Sequence, residues 1–577
     1  MRAIAAVAAS LLALSGCARC GVPRDQGTPP ERWLPADAPV AVVLPELGAG
    51  AEQLAALARA ARGYPAAGSL METADGLEAQ LGFDPLDRKG LVAAGFDPAR
   101  GAALAAGAGQ PLVLVMPVAD EKKFEETLTR LTRDRTGATQ RTRSSSGGVA
   151  VQALRRDAKT PPVIAFAYAG RYAVLATGPS SEKAVRAAAG VAAPRSLAAS
   201  AAFAEARAAA GKGPAALLWA PPASPATQGL ALLRDGLLVV ARATDRLLAL
   251  RAVLPLSPER AAVWREVAGG DPRAGEKELA LLPPDALLAA RFGGDPPALG
   301  RRIGYLLSPA AKERLARANV DLQRDLWDQL APGAAVSLSL APTFDVAHVS
   351  SRGWEYVLSD PFRLLHLSFA ARVKDPEKLR PLLARLPEVA RALGFEGAPP
   401  PLPLAPAPAK ARGKGRPAAR AALAPRAPAA TGAADQVQLP WGGDALTVAL
   451  RGDLLAGAGG AGRFQALVAR LAGEGKGYRA PTAAARDLLG DGAAALVLDP
   501  GNLVASARAL PASAYGTGPD GFVMRSLADR FVEPASHLQA AAVRLEVLEK
   551  AAVIDLSLEG EAPPPAEPPA QPEAGRP

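Results

Sequence analysis

Cysteine is almost missing, with two residues in 577. That excludes a disulfide-stapled scaffold, a cysteine-rich zinc module and an iron–sulfur protein. Only three histidines are present, too few for a histidine-built metal centre. Aromatic residues are 5% of the chain. No GxSxG, HExxH, Walker A, paired CxxC or spaced carboxylate dyad occurs, so no catalytic residue, cofactor or metal is expected. What is present is 49% hydrophobic and 21% charged, enough apolar content for most of the chain to fold. With 56 Gly and 55 Pro, many turns and some unfolded tracts are expected. The length suits two to four domains.

The net charge of +10 is local. Residues 397–436 hold six basic residues (Lys410, Arg412, Lys414, Arg416, Arg420, Arg426) against Asp435, and residues 130–159 hold eight against Asp134 and Asp157. These two segments account for the whole excess and leave the remaining chain near neutral. A nucleic-acid binder carries its basic face on a folded module with a recognition helix or aromatics, and neither segment has that form. Nucleic acid is therefore not an expected partner. An anionic envelope polymer or lipid head group meeting solvated loop charge is the alternative use.

Met1-Arg2 is followed by an apolar run from Ala3 to Leu14, shorter than the ~20 residues a bilayer span requires and suited to a signal-peptide core. Leu14-Ser15-Gly16-Cys17 comes next. This resembles the lipobox of bacterial lipoproteins. The resemblance implies cleavage before Cys17, a diacylglycerol on its thiol, and a membrane anchor strong enough to hold the chain. Ala18 after the cysteine favours the outer membrane, at its periplasmic face or the cell surface. Cys20 would be the one remaining thiol, read as passive, the alternative being a free or intermolecularly paired thiol near the membrane. Residues 1–16 are thus a signal peptide and 17–32 a flexible tether.

The body echoes itself. Trp33-Leu34-Pro35-Ala36-Asp37-Ala38 leads into an apolar run, as does Leu281-Leu282-Pro283-Pro284-Asp285-Ala286. Residues 111–131 match 365–386, each a strand, a turn at Asp120 or Asp375-Pro376, and an amphipathic helix; Phe124, Leu128 and Leu131 recur at one-face spacing. Residues 163–178 pair with 445–460 as strand, two-residue turn and return strand, followed by helices near 181–190 and 463–472. Both halves close with hairpin patterns, at 237–255 and 543–560.

The expected fold class is α+β, with two pseudo-repeated halves, each a mainly antiparallel sheet with helices packed on one face. The first repeat spans 33–256, a connector 257–278, and the second repeat 279–560. Within the second, 397–436 is a disordered Pro/Ala/basic insertion, and 561–577 a disordered Pro-rich tail. The opening motif, the paired halves and the leader resemble a broad family of extracytoplasmic bacterial proteins of unknown function. The resemblance implies an architecture and supplies no catalytic residues.

Three motifs are set aside. Gly457 to Gly462 fits GxGxxG, but its strand belongs to a hairpin and no acid follows at the spacing a ribose contact needs, so it reads as a strand-to-helix turn. Ser180-Ser181-Glu182-Lys183 fits S-x-x-K without the companion motifs, and Ser180 or Ser181 reads as a helix N-cap. Arg451-Gly452-Asp453 reads as a hairpin turn. The one candidate binding loop is an aromatic-rich stretch without a first-half counterpart: Phe344, His348, Trp354, Tyr356 and Phe362. Asp345, His348 and His366 are too irregularly spaced for a metal set. The expected function is a lipid-anchored, non-enzymatic binding or scaffolding protein of the cell envelope, possible partners being an envelope protein or an anionic envelope polymer. The alternatives are a carrier of a lipid or other apolar ligand in a cleft between the repeats, and an enzyme of undetected type.

Overall fold

The structure is a computed structural model. It describes residues 27–61, 76–107, 111–211, 216–222, 224, 233–243, 247–304, 307–347, 349, 362, 364–392, 435–441, 444–516 and 518–560. Leu14, Ser15, Gly16, Cys17 and Cys20 lie outside these residues, as do His348, Trp354, Tyr356, the insertion up to residue 434 and the tail 561–577.

In chain order the strands are β1 (Val40–Leu44), β2 (Ala102–Ala106), β3 (Val113–Pro117), β4 (Gln140–Ser146), β5 (Val149–Arg155), β6 (Ile164–Ala169), β7 (Tyr172–Thr177), β8 (Ala216–Ala220), β9 (Leu237–Ala243) and β10 (Leu247–Pro255). They continue as β11 (Leu288–Phe292), β12 (Leu330–Leu340), β13 (Leu365–Val373), β14 (Gln436–Trp441), β15 (Asp444–Arg451), β16 (Leu454–Gly459), β17 (Ala494–Leu498), β18 (Leu538–Val547) and β19 (Ala551–Gly560). The chain forms two compact units. Unit 1 comprises residues 1–265, 482–488 and 533–577; unit 2 comprises 266–481 and 489–532.

Unit 1 carries one antiparallel sheet in the order β4-β5-β6-β7-β3-β2-β1-β8-β9-β10-β19-β18. Unit 2 carries β14-β15-β16-β13-β12-β11-β17, also antiparallel throughout. The mixed helix and antiparallel-sheet class read from the sequence is the class observed. The closing hairpin, read with the second half, adds to the unit 1 sheet, because β19 pairs with β10 along its length, from Leu247 opposite Glu559 to Pro255 opposite Ala551.

Helices on one face were expected; helices cover both. In unit 1, Phe124 of the helix Glu121–Thr136 packs with Phe166, Ala173 and Leu175. Val185 of the helix Ser181–Ala189 packs with Ala165, Ala167 and Ala176. Neighbouring strand residues point to opposite faces, so these two helices sit on opposite sides of β6 and β7. Unit 2 does the same across β13: Leu379 and Leu383 join Ala371 and Val373, while Phe464 and Leu467 join Ala370. The cause is composition. Strands such as Tyr172–Thr177 are buried at every position but the last, and a run apolar at both parities needs cover on both sides. The scarce rings are pooled: Phe83, Phe96, Phe124, Phe166 and Tyr168 form a chain of tilted and edge-on contacts in unit 1.

Two aspartates start their helices in the same way. Asp120 and Asp375 each take an extended backbone and accept from the N–H three residues on, Lys123 and Lys378, supplying the N-cap that a helix start lacks. The span read as tether is partly docked. Tyr172 Oη donates to the Thr28 carbonyl at 2.9 Å, Arg207 pairs with Glu31, and Arg32 Nη1 donates to the Val191 carbonyl at 2.7 Å. Leu34 is fully buried behind them.

Unit 2 is pinned by Arg291 on β11, which is 2% exposed. Its guanidinium donates to four carbonyls: Leu489, Pro272, Ala274 and Gly492. Two come from the segment entering the unit and two from the turn before β17, so one side chain ties both to the sheet. Removing it leaves four carbonyls short of a donor, two of them, Leu489 and Gly492, buried. Arg291→Ala is expected to cost about 3–5 kcal/mol, read as a lower urea midpoint for unit 2. Arg291→Lys recovers little of that, because one ammonium cannot reach all four acceptors.

Candidate functional site

The aromatic loop divides on inspection. Phe344 is half-buried. Phe362 is core, at 3% exposure, and lies where a Cβ at Gly459 would stand. It is thus a packing residue and not a surface contact, because the ring needs a glycine floor on β16. His348, Trp354 and Tyr356 are outside the described residues. The glycines of the GxGxxG match have the same explanation. A Cβ at Gly457 would meet the Phe369 ring, and one at Gly460 the His366 ring, while Gly460 also adopts φ +110°. The motif is a bed for aromatic and histidine rings.

A polar cluster forms where β13, β16 and the opening turn of unit 2 meet. Arg463 is the first residue of the helix Arg463–Leu471. Its Nη1 and Nη2 donate to both oxygens of Asp285 at 2.7 and 2.6 Å, and its Nε donates to His366 Nδ1 at 2.8 Å. Arg470, on the same helix, donates through Nε to the Leu281 carbonyl at 2.6 Å. Burial pushes the Asp285 carboxyl upward, but the bonds and charge of Arg463 outweigh it and hold the group below the usual carboxylate range. Burial, and then the Arg463 cation beside it, depress His366 below an ordinary imidazole. Accepting at Nδ1 leaves the imidazole proton on Nε2.

Beside His366 runs a row of buried hydroxyls. Ser339 stands opposite His366 and Ser337 opposite Ser368 in the β12–β13 register. All three serines are at most 1% exposed, and their hydroxyls have no hydrogen-bond partner. A serine–histidine–acid relay would need the carboxylate on the imidazole. Here the carboxylate binds arginine, and the arginine occupies the imidazole's acceptor nitrogen. The cluster locks a structure and does not activate a nucleophile.

Among the described residues of unit 1, two of the cavities differ in character. One, about 730 Å³, is lined by Glu31, Asp97, Arg100, Tyr172 and Arg207 beside the docked strap. Its charges are already matched, Arg207 with Glu31 and Arg100 with Asp97. The second, about 500 Å³, is lined by Asp37, Ser180 and Lys183 among prolines, alanines and Val113. Neither Asp37 nor Lys183 takes part in an ion pair, and both are exposed. Ser180 stands at the helix N-cap as expected, but its side chain makes no capping bond, and the buried Ser181 hydroxyl has no partner. In the sequence Asp37 and Asp285 belong to the opening motif and Lys183 to the S-x-x-K match. An acid recurring inside two otherwise apolar openings is the signal for the first two; Lys183 carries none.

Among the described residues no group of three or more His, Cys, Asp or Glu is placed to hold a metal ion, and no helix is long and apolar enough to cross a membrane. No protein-family model matches the chain, and no curated protein matches it. Among solved structures, crystal forms IV, I and III of TP0453 are similar at a TM-score of 0.22 and 10%, 11% and 8% identity. They cover 41%, 40% and 43% of this chain and 85%, 81% and 90% of that one. That likeness carries no argument about this chain.

The acid cluster sets a pH dependence. His366 is held neutral in the fold, while the unfolded chain takes a proton below about pH 6.5, so stability falls as the pH drops from 7 toward 5. The Asp285 contribution is complete above its ordinary value near 3.8 and is lost at lower pH, as its depressed carboxyl protonates. Urea midpoints measured from pH 7 to 3 should show both declines. His366→Gln should remove the first and keep the second.

Proposed function

We propose that the protein is an extracytoplasmic lipoprotein, moored to a membrane through Cys17, whose body is a duplicated α+β unit that binds a ligand without chemical conversion. The lipobox residues support the mooring. The docked strap supports a short reach: Gly27 follows Cys17 by ten residues, which span at most ~35 Å when extended. Anchored in this way, unit 1 works close to the lipid surface, in the envelope and with the outer membrane as the favoured site.

Strand order supports the duplication. The series β5-β6-β7-β3-β2-β1-β8 has the same connectivity as β14-β15-β16-β13-β12-β11-β17. Register agrees with it. Val40 faces Ala106 as Leu288 faces Leu338, and Val113 faces Ala176 as Ser368 faces Ala458. The hairpin glycines Gly170 and Gly452 have φ +62° and +61°.

The observation that carries the binding reading is the 500 Å³ cavity with unpaired opposite charges on its wall. A binding protein keeps charge in reserve for its ligand, whereas the hydroxyls and imidazole of unit 2 are arranged against nucleophilic catalysis. The mooring is tested by growing cells with labelled palmitate. Wild-type protein should take up label and sediment with membranes, and Cys17→Ala should do neither; equal labelling of the variant would defeat the anchor.

A further inference from the structure

Matching the two strand orders and counting along the chain gives each polar residue of the unit 2 cluster a counterpart in unit 1. Asp285 corresponds to Asp37, two residues past the proline of the opening motif in each. Counting along β3 and β13 from the capping aspartates Asp120 and Asp375 places Pro111 where His366 stands. Counting from Gly170 and Gly452 places Ser181 where Arg463 stands and Ala188 where Arg470 stands. Three large polar side chains have small counterparts, while the acid is kept. Asp37, Pro111 and Ala188 all line the 500 Å³ cavity, and Ser180, next to Ser181, lines it too. The cavity thus lies beside the counterparts of the residues that surround the Arg463 guanidinium in unit 2, while Ser181 itself is buried behind its wall.

An aspartate that has lost its built-in arginine but kept its position is a site for an arginine from outside. The bidentate geometry of Arg463 on Asp285 shows the fit the turn offers, a planar fork on a carboxylate. On the same cavity wall stands an unpaired cation, Lys183, with the free Ser180 hydroxyl at the uncapped first turn of the helix Ser181–Ala189. Cation, hydroxyl and helix N-terminus together favour an anion. Asp37 and Lys183 form no ion pair with each other, so each remains available to a ligand group of opposite charge. Pro111, Val113 and Ala184 supply an apolar wall for a methylene stem.

We propose that this cavity binds arginine, as the free amino acid or at the C-terminus of a peptide, with its guanidinium on Asp37 and its carboxylate at Lys183 and Ser180. The assignment rests on the paired halves proposed above and does not depend on the lipid anchor.

Titration calorimetry of the full mature chain in detergent tests it, with L-arginine and agmatine as probes; agmatine has the guanidinium and lacks the carboxylate. L-Arginine should bind at least about tenfold more tightly than agmatine. Asp37→Asn should weaken both by a similar factor. Lys183→Gln should lower arginine affinity toward that of agmatine and leave agmatine unchanged. Both residues are exposed, so folding is not at stake, and unchanged thermal melts check this. The peptide Ala-Ala-Arg and its C-terminal amide separate the two sources: tighter binding of the free-acid peptide than of arginine assigns a chain end, and binding of arginine alone assigns the amino acid. Absence of binding by L-arginine and Ala-Ala-Arg, or affinities untouched by Asp37→Asn, would overturn the proposal. Cys17→Ala protein should bind like wild type, so a failed anchor and a failed ligand give different results.

Discussion

An aspartate stands just before the first strand of each sheet, Asp37 before β1 and Asp285 before β11, and the two differ in what faces them. In unit 2 the chain supplies its own guanidinium, Arg463, which bonds both oxygens of Asp285 and fixes His366. The surroundings are shaped to hold it. Gly460 takes a left-handed backbone that leaves room for the imidazole, and the neighbouring strand positions on β12 and β13 are buried serines. In the proposed duplication, unit 1 keeps the acid and drops the base, and a cavity stands beside the base's position. Under the proposal, the same position is a structural lock in unit 2 and a binding site in unit 1.

The sheets themselves depend on small side chains. Alanine at so many strand positions lets helices cover both faces, because a layer of methyl groups is thin and has no preferred side. Larger residues are placed where a glycine opposite makes room, as with Phe362 over Gly459 and Phe369 over Gly457. Burial at both parities adds apolar area without aromatics, which accounts for a folded chain with so few rings. The cost is tolerance, since a Cβ at these glycines collides with a ring that cannot move away.

Much of the architecture was legible in the sequence. The turns at Asp120 and Asp375, the hairpins at Gly170 and Gly452 and the helices after Gly178 and Gly460 all have local signals, and all are formed. The number of covered faces was less accessible. A run such as Tyr172–Thr177 is apolar at both parities, and periodicity alone does not separate one covered face from two. The sites were least accessible. Phe362 stood out by composition, yet it belongs to the core, because aromatic content does not say which way a ring points. Asp37, Lys183 and Ser180 each have ordinary local roles, and only the long-range pairing of strands brings them to one cavity. The same holds for Asp285, His366 and Arg463, which are far apart in the chain and meet through β13 and β16.

The most direct test is a crystal structure of the protein grown with L-arginine. Superposing β6-β7-β3-β2-β1 on β15-β16-β13-β12-β11 should bring Asp37 onto Asp285, and density for the bound guanidinium should coincide with that of Arg463. Halves that do not superpose, or arginine bound elsewhere with the Asp37 cavity empty, would contradict the account.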